Sequence, residues 1–319
     1  MDSQLLSERL GFQEIENETP YATRYDFGDS LLESSLDKQG ILFPLLLSQK
    51  DGKRGVLVSG HKRFFMARKK GLDKIPVTWA GENFSERELL LLSLYSNWGQ
   101  RLNELDQMTA IRKAQRDFRF TEESILTEIM PALGLPSSRG ILDDYAQVAG
   151  LAPEIHQLIQ NKNIPFRGAS GLSRFSNAEQ NLLANVLERV YLTSNQLSKT
   201  AEWIFDIKKG KKTTLESVLQ KETLKEALEN PRTDLRTKGD NFFRAVRFLR
   251  FPRLTQEVGK LQKIKSKVEE NKDFLLTWPE GLEKKEILVT ARLHGRGDLR
   301  RVLAFLETNR SFLESPFKD

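Results

Sequence analysis

The feature that most restricts the fold is a change of pattern at Ser85. Before it, short apolar runs alternate with glycine and proline breaks. After it, capping signals and apolar positions at helical spacing continue for nearly 200 residues. The chain therefore reads as α+β, mostly helical: a compact α+β unit followed by helices. In the first part, 31–39 is a helix closed by Gly40, 44–48 a short buried strand, Asp51-Gly52 a hairpin turn and 55–59 a strand. A helix over 63–70 is stopped by Gly71, and 75–79 is another strand.

Downstream, Ser85 and Glu88 form a capping box for a helix reaching about residue 97, and Asn103, Thr121 and Ser137 cap the next three. Helices over 214–230 and 240–251 end before Pro231 and Pro252. Leu254, Val258, Leu261, Ile264 and Val268 mark one apolar stripe, with Lys260, Lys263 and Lys267 off it. The tail reads as a small β-β-α unit: strands at 274–278 and 287–293, joined through Pro279-Glu280-Gly281, then a helix over 298–308. The KKGKK run at 208–212 is the expected last boundary, giving domains 1–118, 119–207 and 208–319.

The absence of cysteine excludes disulfides, thiolate metal sites and thiol nucleophiles. His61, His156 and His294 lie 95 and 138 positions apart, without ligand spacing. No apolar run approaches the roughly 18 residues of a membrane span, and MDSQLLSERL lacks the basic and apolar regions of a secretory signal. The net charge of +6 is uneven: residues 1–35 carry −6 and residues 206–319 carry +8. Such a basic body suits polyanions, and equally a solvated lysine-rich surface.

One segment points to chemistry. In Val56-Leu57-Val58-Ser59-Gly60-His61-Lys62-Arg63, a strand meets a glycine and two cations at a helix start. Unpaired helix N–H groups, close backbone approach at glycine and charged donors together make a phosphate cradle, although a solvated helix start has the same residues. A second polar cluster, Ser96, Asn97, Gln100 and Arg101, precedes the Asn103 cap and suits phosphate oxygens, a metal ion or an ordinary junction.

The order Leu31-Leu32-Glu33-Ser34-Ser35-Leu36, Gly40-Ile41-Leu42-Phe43-Pro44-Leu45, Val58 to Arg63, Ala67, Gly71, Ile75-Pro76-Val77, Asn97, Arg101 and Asn103 resembles the N-terminal domain of the ParB family, over residues 20–118. Residues 121–165, broken at Gly134-Leu135-Pro136, resemble that family's helix-turn-helix region. The resemblance implies a ParB/sulfiredoxin-like domain binding CTP with Mg²⁺, followed by an HTH-like helical domain. It places nucleotide contacts on Gly60, His61, Lys62, Arg63, Ser96, Asn97, Gln100 and Arg101, with Asn97 beside the magnesium.

The motifs depart from the family in several places. His61 stands where a glutamate tied to turnover is usual, Lys62 replaces an arginine, Phe43 a glutamine and Ser96 a glutamate, so the expected activity is at most slow CTP hydrolysis. The sulfiredoxin branch needs a cysteine and is excluded. On the expected recognition helix, 137–148, Ser137, Ser138, Arg139 and Gln147 suit base reading, whereas Asp143 and Asp144 repel phosphates. Lys208, Lys209, Lys211 and Lys212 offer phosphate contacts, and Arg244, Arg247, Arg250 and Arg253 offer either these or a solvated edge.

The expected protein is thus a CTP-responsive DNA-binding homodimer of the cytoplasm and nucleoid, serving segregation, plasmid maintenance or transcription regulation. Double-stranded DNA and a ParA-type ATPase are its expected partners. The alternatives are an adaptor on the same fold, or a nuclease or small-molecule kinase whose metal would sit near Glu33, Asp37 and Glu88.

Overall fold

A computed structural model describes residues 8–25, 30–49, 54–81, 83–96, 102–229, 233–269, 274–278, 288–293, 295, 297–308 and 310–314. The chain divides into two compact units, Met1–Lys199 and Thr200–Asp319, so the boundary expected after residue 207 lies beyond the observed division. The fold is α+β and mostly helical, as the pattern implied.

The first unit opens on a five-stranded sheet of β1 (Glu8–Gly11), β2 (Ile15–Glu16), β3 (Leu45–Ser48), β4 (Gly55–Ser59) and β5 (Lys74–Trp79), in the order β1-β5-β3-β4-β2. β3 runs parallel to β5 and antiparallel to β4. Alternation along β3 points Leu45 and Leu47 into a core with Leu57, Ile75, Val77, Phe64 and Ala67. Phe64 and Ala67 come from α2 (His61–Lys69), which starts two residues earlier than the sequence suggested because Gly60, at φ +102°, takes the cap position.

α1 (Ser30–Gln39) ends at Gly40, whose φ is +69°. Glu33 pairs with Lys69 at 3.4 Å and Asp37 pairs with Lys70, tying α1 to α2, and Glu88 closes the Ser85 capping box. This corrects the idea of a metal set there: the three carboxylates have other partners, and the described residues contain no group of acids or histidines that could hold an ion.

α3 (Glu86–Tyr95) and α4 (Glu104–Arg116) follow, the latter capped by Asn103, whose Oδ1 accepts from the Asp106 N–H at 2.7 Å. The segment after Thr121 widens into a π-helical stretch, Ile125–Ile129, just before Pro131. The proline, which lacks an N–H, is thereby absorbed without a break, and the helical segment ends at Gly134, φ +71°. The next helix is Arg139–Ala149; Ser137 is not its cap, because its hydroxyl donates to the Leu126 carbonyl at 2.6 Å. Helices Pro153–Gln160, Asn177–Leu187 and Ser194–Gly210 complete this region.

In the second unit the expected 214–230 helix is two, Leu215–Leu219 and Glu222–Glu229. The 240–251 helix starts earlier, at Leu235, and runs to Arg250, because Asp234 caps it, accepting from the Arg236 and Thr237 N–H groups. Trp203 packs against Phe243 at a tilt and meets Phe251 edge-on, and Arg250 pairs with Asp206 at 3.1 Å. Beyond Pro252–Glu269, β6 (Phe274–Thr277) and β7 (Leu288–Ala291) pair antiparallel, and the helix Asp298–Thr308 lies where expected. The Asp51-Gly52 and 279–281 turns lie outside the described residues. No helix of the described residues is long and apolar enough to cross a membrane.

Candidate functional site

Where β4 ends, the chain turns through Gly60 into α2 and opens a cleft of about 600 Å³. Its walls are Gly60 to Arg63, the Gly40 to Pro44 turn, Leu32, Ser35 and Leu36 of α1, Tyr21, Thr23 and Arg24 from the segment before α1, and Ser93 and Ser96. The turn favours glycine: a Cβ at Gly60 would lie 2.5 Å from Leu45 Cδ2, besides the strain of its left-handed conformation.

Two of the cations lining the cleft, Arg63 and Arg24, are held by protein acceptors. Arg63 Nη1 donates to the Pro44 carbonyl at 2.8 Å and to the Phe43 carbonyl, joining the start of α2 to the facing turn. Burial holds its guanidinium below its ordinary pKa. Arg24 Nη1 pairs with Asp106 Oδ2 at 2.8 Å, and the other carboxylate oxygen accepts from the Tyr25 N–H.

His61 is 5% exposed. Its Nε2 lies 3.2 Å from Thr19 Oγ1, and that hydroxyl donates to the Leu57 carbonyl at 2.7 Å. With the only hydroxyl proton spent on Leu57, Nε2 must carry the proton and donate to Thr19. Desolvation, reinforced by the charge of Lys113, pushes the ring down to about 3, so it is neutral.

A hydroxyl chain fixes the opposite wall. Ser96 donates to the Ser93 carbonyl at 2.8 Å, so Ser59 donates to Ser96 across 2.6 Å. The end of β4 is thereby tied to the end of α3. Ser93 in turn donates to the Tyr21 carbonyl, and burial pushes the Tyr21 phenol up to about 12.

The structure thus brings Gly60, His61, Lys62, Arg63 and Ser96 to one cleft, while Asn97, Gln100 and Arg101 lie outside the described residues. Sequence patterns did not reveal Thr19, Tyr21, Thr23 and Arg24. Their signal was a buried acid, Asp106, in the first turn of α4, whose partner sits 82 positions away.

The nucleic-acid candidates belong to different elements. On helix Arg139–Ala149, Leu142, Tyr145 and Val148 face inward while Arg139, Asp143 and Gln147 share the exposed face; Asp144 is half-buried. Arg139 pairs with Glu122 at 3.0 Å, Ser137 is committed to Leu126, and Ser138 precedes the helix without a side-chain cap bond. Lys209, Lys211 and Lys212 are exposed, and Lys208 is half-buried with its ammonium over the Phe205 ring. Arg250 is turned to Asp206 and Phe251, leaving Arg244 and Arg253 as exposed members of the arginine series.

The chain is 25% identical over 207 residues to a nucleoid occlusion protein of Bacillus mycoides, covering 62% of this chain and 69% of that one. A nucleoid occlusion protein of Bacillus cereus is 25% identical over 60% of this chain and 64% of its own length. The match therefore spans about two thirds of these relatives. No protein-family model matches. Among solved structures, C-terminally truncated ParB of Caulobacter crescentus complexed to the centromeric parS site aligns over 61% of this chain and 99% of its own, at 17% identity and a TM-score of 0.38. The same protein complexed with CTP-gamma-S aligns over 57% and 98%, at 18% identity and a TM-score of 0.27. Together with the order of motifs and elements, the sequence relatives identify a ParB-like fold.

Proposed function

We propose that this chain is a ParB-type, nucleotide-responsive DNA-binding protein whose cleft takes a nucleoside triphosphate, CTP by resemblance. One observation carries this reading: the glycine turn at the start of α2 shares a single cleft with Lys62, Arg63 and Arg24. A helix N-terminus with three cations about it suits a chain of phosphates. Among the described residues, the lining holds no carboxylate. A magnesium ion would therefore enter with the phosphates and take most of its ligands from them and from water, with Asn97 as the proposed protein ligand.

Turnover is slow in this reading. The residue at the cradle is a neutral imidazole whose Nε2 proton is already given to Thr19, and no acid among the described residues lines the cleft to orient water. The likeness to nucleoid occlusion proteins supports a role on the nucleoid in segregation or its regulation; a homodimer with a ParA-type ATPase partner is proposed with it. The same reading keeps a nucleotide domain to residue 118, an HTH-like domain to 207 and a basic region beyond.

DNA contact is assigned chiefly to the exposed lysines around 208–212, with Arg139 and Gln147 as the remaining base-reading candidates. A second reading, an adaptor without operator reading, is favoured by Asp143, which sits on the same exposed face as those two. Calorimetric titration with CTP and Mg²⁺, followed by duplex binding with and without nucleotide, tests both readings. Saturable CTP binding that alters DNA affinity supports the first, nucleotide binding without any DNA binding leaves the adaptor, and no nucleotide binding removes the site.

A further inference from the structure

The arginine series Arg244, Arg247, Arg250 and Arg253 has no part in the cleft at α2, and its members have different surroundings. Arg250 pairs with Asp206. Arg244 and Arg247 instead line a groove of about 270 Å³ between helices Leu235–Arg250 and Pro252–Glu269, both within the second unit. We propose that this groove is a docking site for an acidic amphipathic helix of a partner protein.

The floor supplies the apolar half of that recognition. It is one face of helix Pro252–Glu269, where Leu254, Thr255, Val258, Gly259 and Gln262 follow one another at spacings of one, three, one and three residues. The face runs for about 12 Å, roughly two helical turns. Leu254 and Val258 are only half-buried, although the same helix buries Leu261 against β6. Apolar side chains open along two turns match the anchors that an amphipathic helix presents at i, i+3 and i+4. A Cβ at Gly259 would meet nothing within 4 Å, so a facing helix comes close to the backbone there.

The wall supplies the charge. Arg244 and Arg247 stand three positions apart on one side of their helix, the first exposed and the second half-buried. Among the described residues, no acid lines the groove. Guanidinium groups pair with carboxylates in a forked geometry, so a helix with Glu or Asp beside its apolar positions satisfies floor and wall together. A nucleic-acid backbone would pair with the arginines but gain nothing from the apolar floor.

The test uses a fluorescein-labelled synthetic helix of about three heptads, with Leu on one face and Glu beside it, titrated against the full chain by fluorescence anisotropy. Saturable binding is expected, weakened by about tenfold or more when the peptide's Glu residues become Lys or its Leu residues become Ser. Gly259→Leu fills the groove where a side chain meets nothing of this chain, and should weaken binding similarly with circular dichroism unchanged. Arg244→Glu with Arg247→Glu should reverse the preference, so that the Lys peptide binds better than the Glu peptide. Absence of saturable binding, or equal binding to wild type and Gly259→Leu, overturns the proposal. Displacement of the peptide by a DNA duplex that loses affinity in the double arginine variant also overturns it, giving the groove to nucleic acid. A smaller oligomer of Gly259→Leu in sedimentation overturns it in favour of a second copy of this chain.

Discussion

Arg24 and Asp106 form an ion pair of 2.8 Å in which the carboxylate side chain is 2% exposed, linking a wall of the cleft to the first turn of α4. A buried pair of this kind is most sensitive to losing one partner, since the other charge is left desolvated. Asp106→Ala should destabilise the first unit by about 3–5 kcal/mol, measured by urea unfolding, with Asp106→Asn costing less because it still accepts from the Tyr25 N–H. Equal stabilities of wild type and Asp106→Ala would contradict this account.

Gly60→Ala is expected to weaken both fold and site. The left-handed backbone and the clash with Leu45 act together, giving a loss of stability of more than about 1 kcal/mol by thermal or urea unfolding. Gly71→Ala serves as the comparison: it also has positive φ, +70°, but meets nothing within 4 Å, so it should cost less.

Arg63→Ala removes a charge-assisted donor, and nucleotide affinity should fall by about 1.5–3 kcal/mol, roughly 10- to 150-fold. Arg63→Lys should recover only part, because an ammonium cannot reproduce the forked contacts of a guanidinium. Calorimetry on variants with unchanged circular dichroism checks this. Undiminished affinity in Arg63→Ala would take Arg63 out of the site.

His61 makes stability depend on pH. Its folded pKa, about 3, lies below the ordinary value of 6.5, so the unfolded chain binds the proton more readily. The contribution is therefore complete above pH 6.5 and declines as pH falls towards 3, at up to about 1.4 kcal/mol per pH unit. Between pH 6.5 and 5, wild type should lose about 1–2 kcal/mol relative to His61→Gln in parallel urea titrations. Parallel pH profiles would show that the imidazole does not carry the effect.

DNA binding, where it occurs, should be largely electrostatic. Affinity for any duplex should fall steeply between about 50 and 200 mM salt, and scrambled sequences should compete nearly as well as a selected one. Changing Lys209, Lys211 and Lys212 to Gln should reduce the salt slope by about 0.9 for each phosphate that is no longer neutralised. A site preferred by roughly 10³ or more at high salt would instead place base reading on Arg139 and Gln147.

Local signals in the sequence place most helices, three of the five strands of the first sheet and both strands of the second, because capping residues and glycine stops act over three or four positions. Ser85, Asn103 and Thr121 cap the helices expected of them. β1 and β2 carry too little pattern to be recognised: the first has one buried apolar side chain, Leu10, and the second is two residues long. The sequence reading puts the start of helix Leu235–Arg250 too late: Asp234 caps it, and Gly239 is buried within it. Half of the site is legible at Gly60 to Arg63 because strand, glycine and cations are contiguous there. Arg24, Thr19 and the serine chain depend on contacts between residues 37 to 82 positions apart, and no local pattern carries those.

The wide turn at Ile125–Ile129 bears on how this chain tolerates changes in length. A π-turn holds one residue more than an α-turn, and each residue rotates a helix by about 100°. Deleting Thr127 should tighten the segment towards α-helical spacing with the Thr121 cap and the Gly134 stop both kept, the cost being the contact of Pro131 with the carbonyl one turn before it. Deleting a residue from the regular helix Arg139–Ala149 instead rotates Leu142, Tyr145 and Val148 out of register with the core. The segment before the expected recognition helix is thus a place where an insertion can be stored or removed without moving the surfaces on either side.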